Sequence, residues 1–175
     1  MEHPMPENDV ASARPLQEQL VGAWELVSYE ARGDNDAPTV HPLGDDASGY
    51  VMYTPDGHVS VQIMRPGRPP YQVAGPGEGT PAERAEAAGG YLAYSGSYRV
   101  VDNSVVVHEI DVSLLPNWVG ESLRRKVTLD GRRLELTTIT PILIDGRPHT
   151  AVLIWDRAEA SEARNGGVVR ASGKR

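Results

Sequence analysis

A chain of 175 residues, 39% of them hydrophobic and 23% charged, is long enough for one domain with a sizeable core, and its composition is neither membrane-spanning nor disordered. The net charge of −7, without a basic stripe, argues against nucleic acid and anionic membranes as partners. There is no cysteine, which excludes disulfides and Cys-ligated metals, and the start of the sequence lacks the features of a secretory signal. We therefore expect a cytoplasmic bacterial protein.

The two ends of the chain are polar and lack periodicity, so we predict flexible tails over residues 1–15 and 159–175 and one domain over residues 16–158. Within that domain, short alternating segments are separated by turn residues, a pattern typical of an all-β fold. Eight strands are predicted, at residues 21–30, 50–53, 58–64, 94–101, 104–113, 123–129, 133–140 and 149–157. Eight antiparallel strands are enough to close a small barrel around side chains or one ligand.

One helix interrupts the predicted strands. Thr80-Pro81-Ala82-Glu83 is a capping box, with an N-cap threonine, proline at the first helical position and glutamate at the third. The helix is predicted to end at Gly89-Gly90, and residues 65–79 before it are rich in proline and glycine. We expect this long loop and the short helix to form a lid across one mouth of the barrel.

A tryptophan early in the first strand and an arginine at the end of the last one form a candidate pair. A guanidinium stacks well on an indole face, and the pair gains most when it is partly desolvated. A first and a last strand are neighbours only if the sheet closes. We therefore predict that Trp24 and Arg157 form a structural latch at the seam of the barrel.

Alternation along the strands sorts side chains into an inner and an outer face. The more apolar faces of three neighbouring strands carry polar side chains, which are Tyr94 and Tyr98, His108, and Arg125. The face with His108 also holds Val112, which is therefore expected to point inward. Alternation does not decide which face of residues 58–64 is the inner one, and Gln62 lies on one of the two.

An interior arginine must find a partner, water or a ligand, because an unpaired buried polar group costs roughly 2–7 kcal/mol and a charge costs more. Together, Arg125, an imidazole and phenols are able to orient a carboxylate, enolate or phenolate on an otherwise apolar ligand. The same residues also have a structural interpretation. Arg125 would then satisfy backbone carbonyls, His108 would be a hydrogen-bonded core residue, and the tyrosines would fill space.

Metal and cofactor chemistry is not indicated by the sequence. The five histidines stand at positions 3, 41, 58, 108 and 149, and no two have the spacing that places paired ligands on one helix or strand. We expect no metal site and no cofactor.

Several segments, in this order, resemble the bacterial and fungal lipocalin-like domain family, namely residues 20–29, 49–57, 91–98, 107–109, 113–120, 124–125 and 153–157. The resemblance implies an eight-stranded antiparallel barrel with a ligand cavity. The wider superfamily binds small apolar molecules, and several members of this family belong to natural-product biosynthesis. Carried over by position, Tyr53, His108, Trp118 and Arg125 are the motif residues expected to touch the cavity.

Three functions remain open from the sequence. The first is binding of a small, mostly apolar molecule, polyketide- or terpenoid-like, with a carbonyl or acidic group, in specialised metabolism. Its ligand-binding residues would be Tyr53, Gln62, Tyr94 and Trp118, beside His108 and Arg125. The second is a cofactor-free cyclase or isomerase with His108, Arg125 and Tyr98 as catalytic residues. The third is a fully packed structural barrel.

Overall fold

The computed structural model describes residues 14–33, 37–73, 75 and 77–159. The predicted tails lie outside the described residues, apart from residues 14, 15 and 159. The strands are β1 (Gly22–Gly33), β2 (Ser48–Tyr53), β3 (His58–Met64), β4 (Tyr91–Asp102), β5 (Val105–Ser113), β6 (Ser122–Asp130), β7 (Arg133–Thr138), β8 (Ile142–Ile144) and β9 (Arg147–Arg157). The helices are α1 (Leu16–Leu20) and α2 (Pro81–Gly89), and a single 3-10 turn spans Pro116–Trp118.

The strands form a closed antiparallel barrel. β1 to β7 pair in chain order, β9 pairs with β7, and β9 also pairs with β1 to complete a ring of eight strands. The predicted eight-stranded antiparallel barrel is therefore confirmed. β8 is an additional strand that pairs only with the first residues of β9, in a hairpin attached to the ring. Three residues are too few to show alternation, so the sequence did not predict it.

The two helices differ in how well the sequence predicts them. α2 begins after Thr80 and has both hydrogen bonds of the capping box, as expected, but none of its residues is buried. α1 was not predicted, because five residues contain too little periodicity to recognise. Its Leu16 and Leu20 side chains are buried in the core. None of the described helices is long and apolar enough to cross a membrane.

The seam between β1 and β9 joins the two ends of the described fold. The Arg157 guanidinium lies 4.0 Å from the centre of the Trp24 ring and donates hydrogen bonds to the carbonyls of Val21 (3.0 Å) and Gln19 (2.7 Å). The Trp24 indole N–H donates to the carbonyl of Leu20 at 2.8 Å. These contacts bind the last strand and α1 to the same end of the barrel.

Two β-bulges change which side chains face the interior. In β1 the pairing shifts between Leu26 and Ser28, so that Tyr29 faces inward together with Leu26. In β5 the register shifts at Asp111, and Val112 is 61% exposed. The prediction that Val112 points inward is wrong for this reason, since one extra residue reverses the alternation beyond the bulge.

A glycine allows the second bulge to form. A Cβ atom on Gly96 would lie 1.8 Å from the carbonyl oxygen of Glu109 across the strand pair, a distance that no side chain tolerates. Beyond the bulge, β4 and β5 continue toward the end of the barrel that holds Tyr94 and the 3-10 turn.

Candidate functional site

A cavity lies inside the barrel, and neither Trp24 nor Arg157 is among the described residues that line it. Its volume is about 60 Å³. Most of its wall is apolar and is formed by Val61, Ile63, Leu92, Leu136, Ile142 and Leu153. Its polar groups come from Tyr29, Tyr94, Arg125 and Thr138 and from the indoles of Trp118 and Trp155. An apolar wall with a few placed polar groups is the form of a small-molecule site.

A larger concavity, of about 1260 Å³, lies on the outer surface beside the seam and is wide open to solvent. Arg133 and Asp156 there satisfy each other through two hydrogen bonds of 2.9 Å. Charges that are already paired in water give a ligand little to bind. We therefore assign the candidate site to the smaller cavity inside the barrel.

His108 is hydrogen-bonded at both ring nitrogens by tyrosine hydroxyls. Its Nε2 lies 2.8 Å from the Tyr53 hydroxyl oxygen, and its Nδ1 lies 2.9 Å from that of Tyr94. The three residues come from β5, β2 and β4, whose inner faces alternation brings together. His108 is completely buried and is not among the described residues that line the cavity, whereas Tyr94 is. The imidazole therefore supports the tyrosine that reaches the cavity.

The electrostatics of this group keep all three side chains neutral at ordinary pH. The pKa of His108 is lowered to about 3, mainly by burial and in smaller part by the positive charge of Arg125. Burial raises the pKa of Tyr53 well above its usual range. Burial also raises the pKa of Tyr94, while the Arg125 guanidinium opposes the rise through its charge and hydrogen bonding.

Arg125 brings a positive charge to the cavity from β6, where its neighbours on the inner face include Val127. Its side chain is half-buried, interacts with the Tyr94 hydroxyl as described above, and donates a long hydrogen bond, 3.4 Å, to the carbonyl of Arg124. Within the same part of the chain, no carboxylate forms an ion pair with it. The guanidinium therefore retains donors for a molecule in the cavity.

The indole of Trp118 closes part of the cavity from the 3-10 turn between β5 and β6. Its ring packs edge-to-face on Tyr94, with ring centres 5.7 Å apart, and it is half-buried. Ligand sites for drug-sized molecules usually have 300–1,000 Å³, so this cavity must widen to take such a ligand. Trp118 is half-buried on a short turn between two strands, and we expect such a turn to move more readily than the paired strands.

The structure places the residues predicted from sequence in three positions. Tyr94, Trp118 and Arg125 line the cavity, and Tyr53 and His108 lie directly behind Tyr94. Tyr98 and Gln62 lie elsewhere in the barrel.

Tyr98 and Gln62 are outside the group. Tyr98 is buried against Tyr53, with ring centres 4.8 Å apart, and its hydroxyl donates to the carbonyl of Thr54 at 3.1 Å. Gln62 lies on the face of β3 opposite to Val61, and it accepts a hydrogen bond of 2.7 Å from the hydroxyl of Tyr91. β3 turns Val61 inward, so Gln62 points away from the cavity.

Three residues that bring polar groups to the cavity wall were not among the predicted site residues, namely Tyr29, Thr138 and Trp155. Trp155 was considered only as part of the motif that ends in Arg157, although alternation along β9 places it on the same face as Leu153 and Ala151. Tyr29 could not be found by alternation, because the bulge in β1 reverses its direction. Trp155 carries a buried indole N–H with no hydrogen-bond acceptor in the described structure.

The predicted lid is not part of the described wall of this cavity. Among the described residues that form its wall, none belongs to α2. The cavity is bounded instead by the turn that carries Trp118.

In the part of the chain that the structure describes, no three histidine, aspartate or glutamate side chains are grouped so that they could hold a metal ion.

Comparison with known proteins agrees with the architecture. Residues 21–158 match the lipocalin-like domain family. The chain is 40% identical over 104 residues to the 4'-hydroxy-3'-methoxypropiophenone carrier protein of Aspergillus oryzae (strain ATCC 42149 / RIB 40), an alignment that covers 55% of this chain and 94% of the relative.

Solved structures are similar at lower identity. A lipocalin-like protein from Bacteroides uniformis ATCC 8492 has a TM-score of 0.41 and 16% identity, covering 79% of this chain and 98% of that one. A designed fluorescence-activating β-barrel has a TM-score of 0.39 and 11% identity, covering 83% of this chain and 100% of the design. From the match over residues 21–158 and the carrier relative, the chain belongs to the lipocalin-like domain family.

Proposed function

We propose that this protein is a cytoplasmic carrier that binds a small, mostly apolar molecule with a carbonyl or acidic group inside its barrel, as part of bacterial specialised metabolism. The ligand is polyketide- or terpenoid-like in size and character. Its apolar body lies against the aliphatic wall, and its polar end meets Arg125 and Tyr94. Trp118 covers the bound molecule.

The observation that carries this proposal is the placement of Arg125 and Tyr94 in a mostly apolar cavity inside the barrel. A half-buried cation without an ion-pair partner in the described chain is favourable to keep only where water or another polar group satisfies its donors. A ligand oxygen would do so, and the aliphatic wall would favour an apolar body attached to that oxygen.

The carrier relative supports the same class of ligand. The molecule in its name, 4'-hydroxy-3'-methoxypropiophenone, combines an aromatic ring, a ketone and an acidic phenol. That combination of a flat apolar body and acceptor oxygens has the chemistry to which the wall and the donors of this cavity are suited. We therefore propose that the ligand of this protein is also an aryl ketone.

The position of His108 favours binding over the alternative of a cofactor-free cyclase or isomerase. A general base works best when its pKa is near the operating pH, and the pKa of this buried imidazole is lowered to about 3. Both of its nitrogens are already hydrogen-bonded to tyrosines. A proton taken from a ligand has no ready place on this ring.

Calorimetric titration with 4'-hydroxy-3'-methoxypropiophenone, followed by chromatography of the recovered ligand, tests the proposal. We expect saturable binding at one site per chain and recovery of unchanged ligand. Arg125→Met should weaken binding, while Arg124→Met, which changes an exposed arginine beside it on β6, should leave binding unchanged. Recovery of a chemically altered ligand would favour the enzymatic alternative, and equal binding by both variants would remove Arg125 from the site.

A further inference from the structure

Building on the proposed function, we infer that the cavity takes its ligand as an oxyanion, a phenolate or enolate conjugated with a carbonyl. The oxyanion lies between the Arg125 guanidinium and the Tyr94 hydroxyl, and a second acceptor oxygen of the ligand faces the indole N–H of Trp155. The inference thus assigns a charge state and two points of attachment to the ligand.

The described wall of the cavity has a positive charge and no negative one. Arg125 contributes a positive charge, and no aspartate or glutamate is present among the described residues that line the cavity. A guanidinium has five N–H donors and no acceptor. An anionic oxygen completes this arrangement better than a neutral one, because hydrogen bonds between ionised partners are shorter and about twice as strong.

The direction of the hydrogen bonds around His108 decides where the proton of the Tyr94 hydroxyl points. A neutral imidazole has one N–H donor and one acceptor nitrogen. Within the described chain, the buried Tyr53 hydroxyl has only Nε2 of His108 as a partner, so its proton is best placed toward that nitrogen. Nδ1 then carries the ring proton and donates it to the oxygen of Tyr94. The proton of the Tyr94 hydroxyl is left to donate into the cavity.

The buried indole N–H of Trp155 is a further donor for a ligand in the cavity. Trp155 lines the cavity, is 1% exposed, and has an Nε1–H without an acceptor in the described structure. Buried N–H groups in native proteins nearly always have a partner. A second oxygen on the ligand would supply it. Together with Arg125 and Tyr94, this indole gives the cavity three donor groups for acceptor oxygens of a ligand.

The apolar wall selects among possible anions. A carboxylate concentrates its charge on two strongly hydrated oxygens and loses much hydration when it enters such a cavity. A phenolate or enolate conjugated with a ketone spreads its charge over a flat apolar framework. The aliphatic side chains around the cavity, such as Val61 and Leu136, are better partners for that framework.

Two ligands of nearly equal shape test this inference, 4'-hydroxypropiophenone, which ionises, and 4'-methoxypropiophenone, which does not. The absorbance of the bound hydroxy compound is followed against pH, because its phenolate absorbs at longer wavelength. We expect its pKa to fall by at least about one unit on binding, which corresponds to about tenfold tighter binding of the phenolate than of the neutral phenol. The methoxy compound should bind more weakly, with no dependence on pH over the same range.

Three variants separate the contributions of the two attachment points. Arg125→Met should abolish the pKa shift of the bound phenol and reduce the difference between the two compounds, while Arg124→Met should keep both. Trp155→Phe removes the indole N–H and should weaken both compounds by a similar factor without changing the pKa shift. Circular dichroism before each titration confirms that the variants are folded.

The outcomes distinguish this inference from the proposed function on which it rests. If both compounds bind with equal affinity and the phenol keeps its free pKa, the protein is a carrier of neutral ligands and the inference is overturned. If 4-propylbenzoate binds more tightly than the phenolate, the preference for a delocalised anion is also overturned. If none of these molecules binds to the folded protein, the proposed function itself fails.

Discussion

The hydroxyl oxygen of Tyr94 lies 2.9 Å from Nδ1 of His108, so a residue that reaches the cavity is held in place by one that does not. Tyr53 holds the other nitrogen of the same ring. This chain of three side chains crosses from β2 through β5 to β4 and fixes the Tyr94 hydroxyl relative to the cavity. Tyr94 and His108 have different consequences, the first for binding and the second for stability.

Tyr94→Phe should weaken ligand binding by about tenfold or more, because it removes a donor that the ligand would use and leaves Nδ1 of His108 without a partner. Calorimetric titration measures the affinity. Tyr91→Phe is a matched control, since that hydroxyl donates to Gln62 on the outer face of the barrel. Equal affinities for the two variants would show that the Tyr94 hydroxyl makes no contact with the ligand.

His108 should make the protein less stable as the pH falls. Its pKa is about 3 in the folded protein and near 6.5 in an unfolded chain, so between these values the unfolded state binds more protons. Its contribution is fully present above pH 6.5 and is lost on acidification, at a slope of up to about 1.4 kcal/mol per pH unit. Urea unfolding at a series of pH values measures this slope.

Replacement of this histidine should change the slope as well as the stability. His108→Gln is expected to be less stable than the native protein at pH 7, because it disturbs the bonds to Tyr53 and Tyr94, but its stability should fall less steeply between pH 6.5 and 4. His41→Gln changes an exposed histidine and should keep the native slope. An unchanged slope in His108→Gln would mean that other groups cause the acid sensitivity.

Trp118→Ala should open the cavity and accelerate ligand association, by about tenfold if movement of this indole limits access. Stopped-flow fluorescence is a suitable measurement, because Trp155 remains in the cavity wall as a reporter. Dissociation should accelerate too, since the bound ligand loses a covering ring. Val119→Ala changes the exposed neighbour and serves as the control. An association rate equal to that of the native protein would place the gate elsewhere.

Arg157→Met should lower the free energy of unfolding by about 2–4 kcal/mol, because it removes the stacking on Trp24 and two hydrogen bonds to backbone carbonyls. Ligand affinity measured on the folded variant should be unchanged, since neither Trp24 nor Arg157 is among the described residues that line the cavity. Arg133→Met removes an exposed ion pair with Asp156 and should cost much less. Comparable losses for both variants would contradict a special role of the latch.

The barrel could be predicted because its evidence is repeated in every strand. Alternation, turn residues and the capping box at Thr80 each depend on a few neighbouring positions, and they agree with one another along the chain. What alternation does not contain is an inserted residue. The bulge at Asp111 turned Val112 outward and the bulge in β1 turned Tyr29 inward, and both depend on how two strands pair.

The candidate site was predictable in part for a related reason. Arg125 and Tyr94 were identified because a polar residue on an apolar strand face is conspicuous. Whether such a residue touches the cavity or stands behind another side chain depends on its depth in the barrel, and the sequence has no signal for depth. His108 and Tyr53 lie on the inner face as expected, but behind Tyr94 and not in the described wall of the cavity.

The pairing of β1 with β9 has a consequence for the way this protein is made. Val21 and Arg157, which share a hydrogen bond, are 136 residues apart in the chain. During synthesis β1 therefore cannot pair with β9 until nearly the whole domain has left the ribosome. Until then the sheet has two unpaired edges, which are prone to associate with other chains. Contacts so distant in sequence also slow folding. A chain that stops before β9 would be an aggregation hazard even though most of its strands are complete.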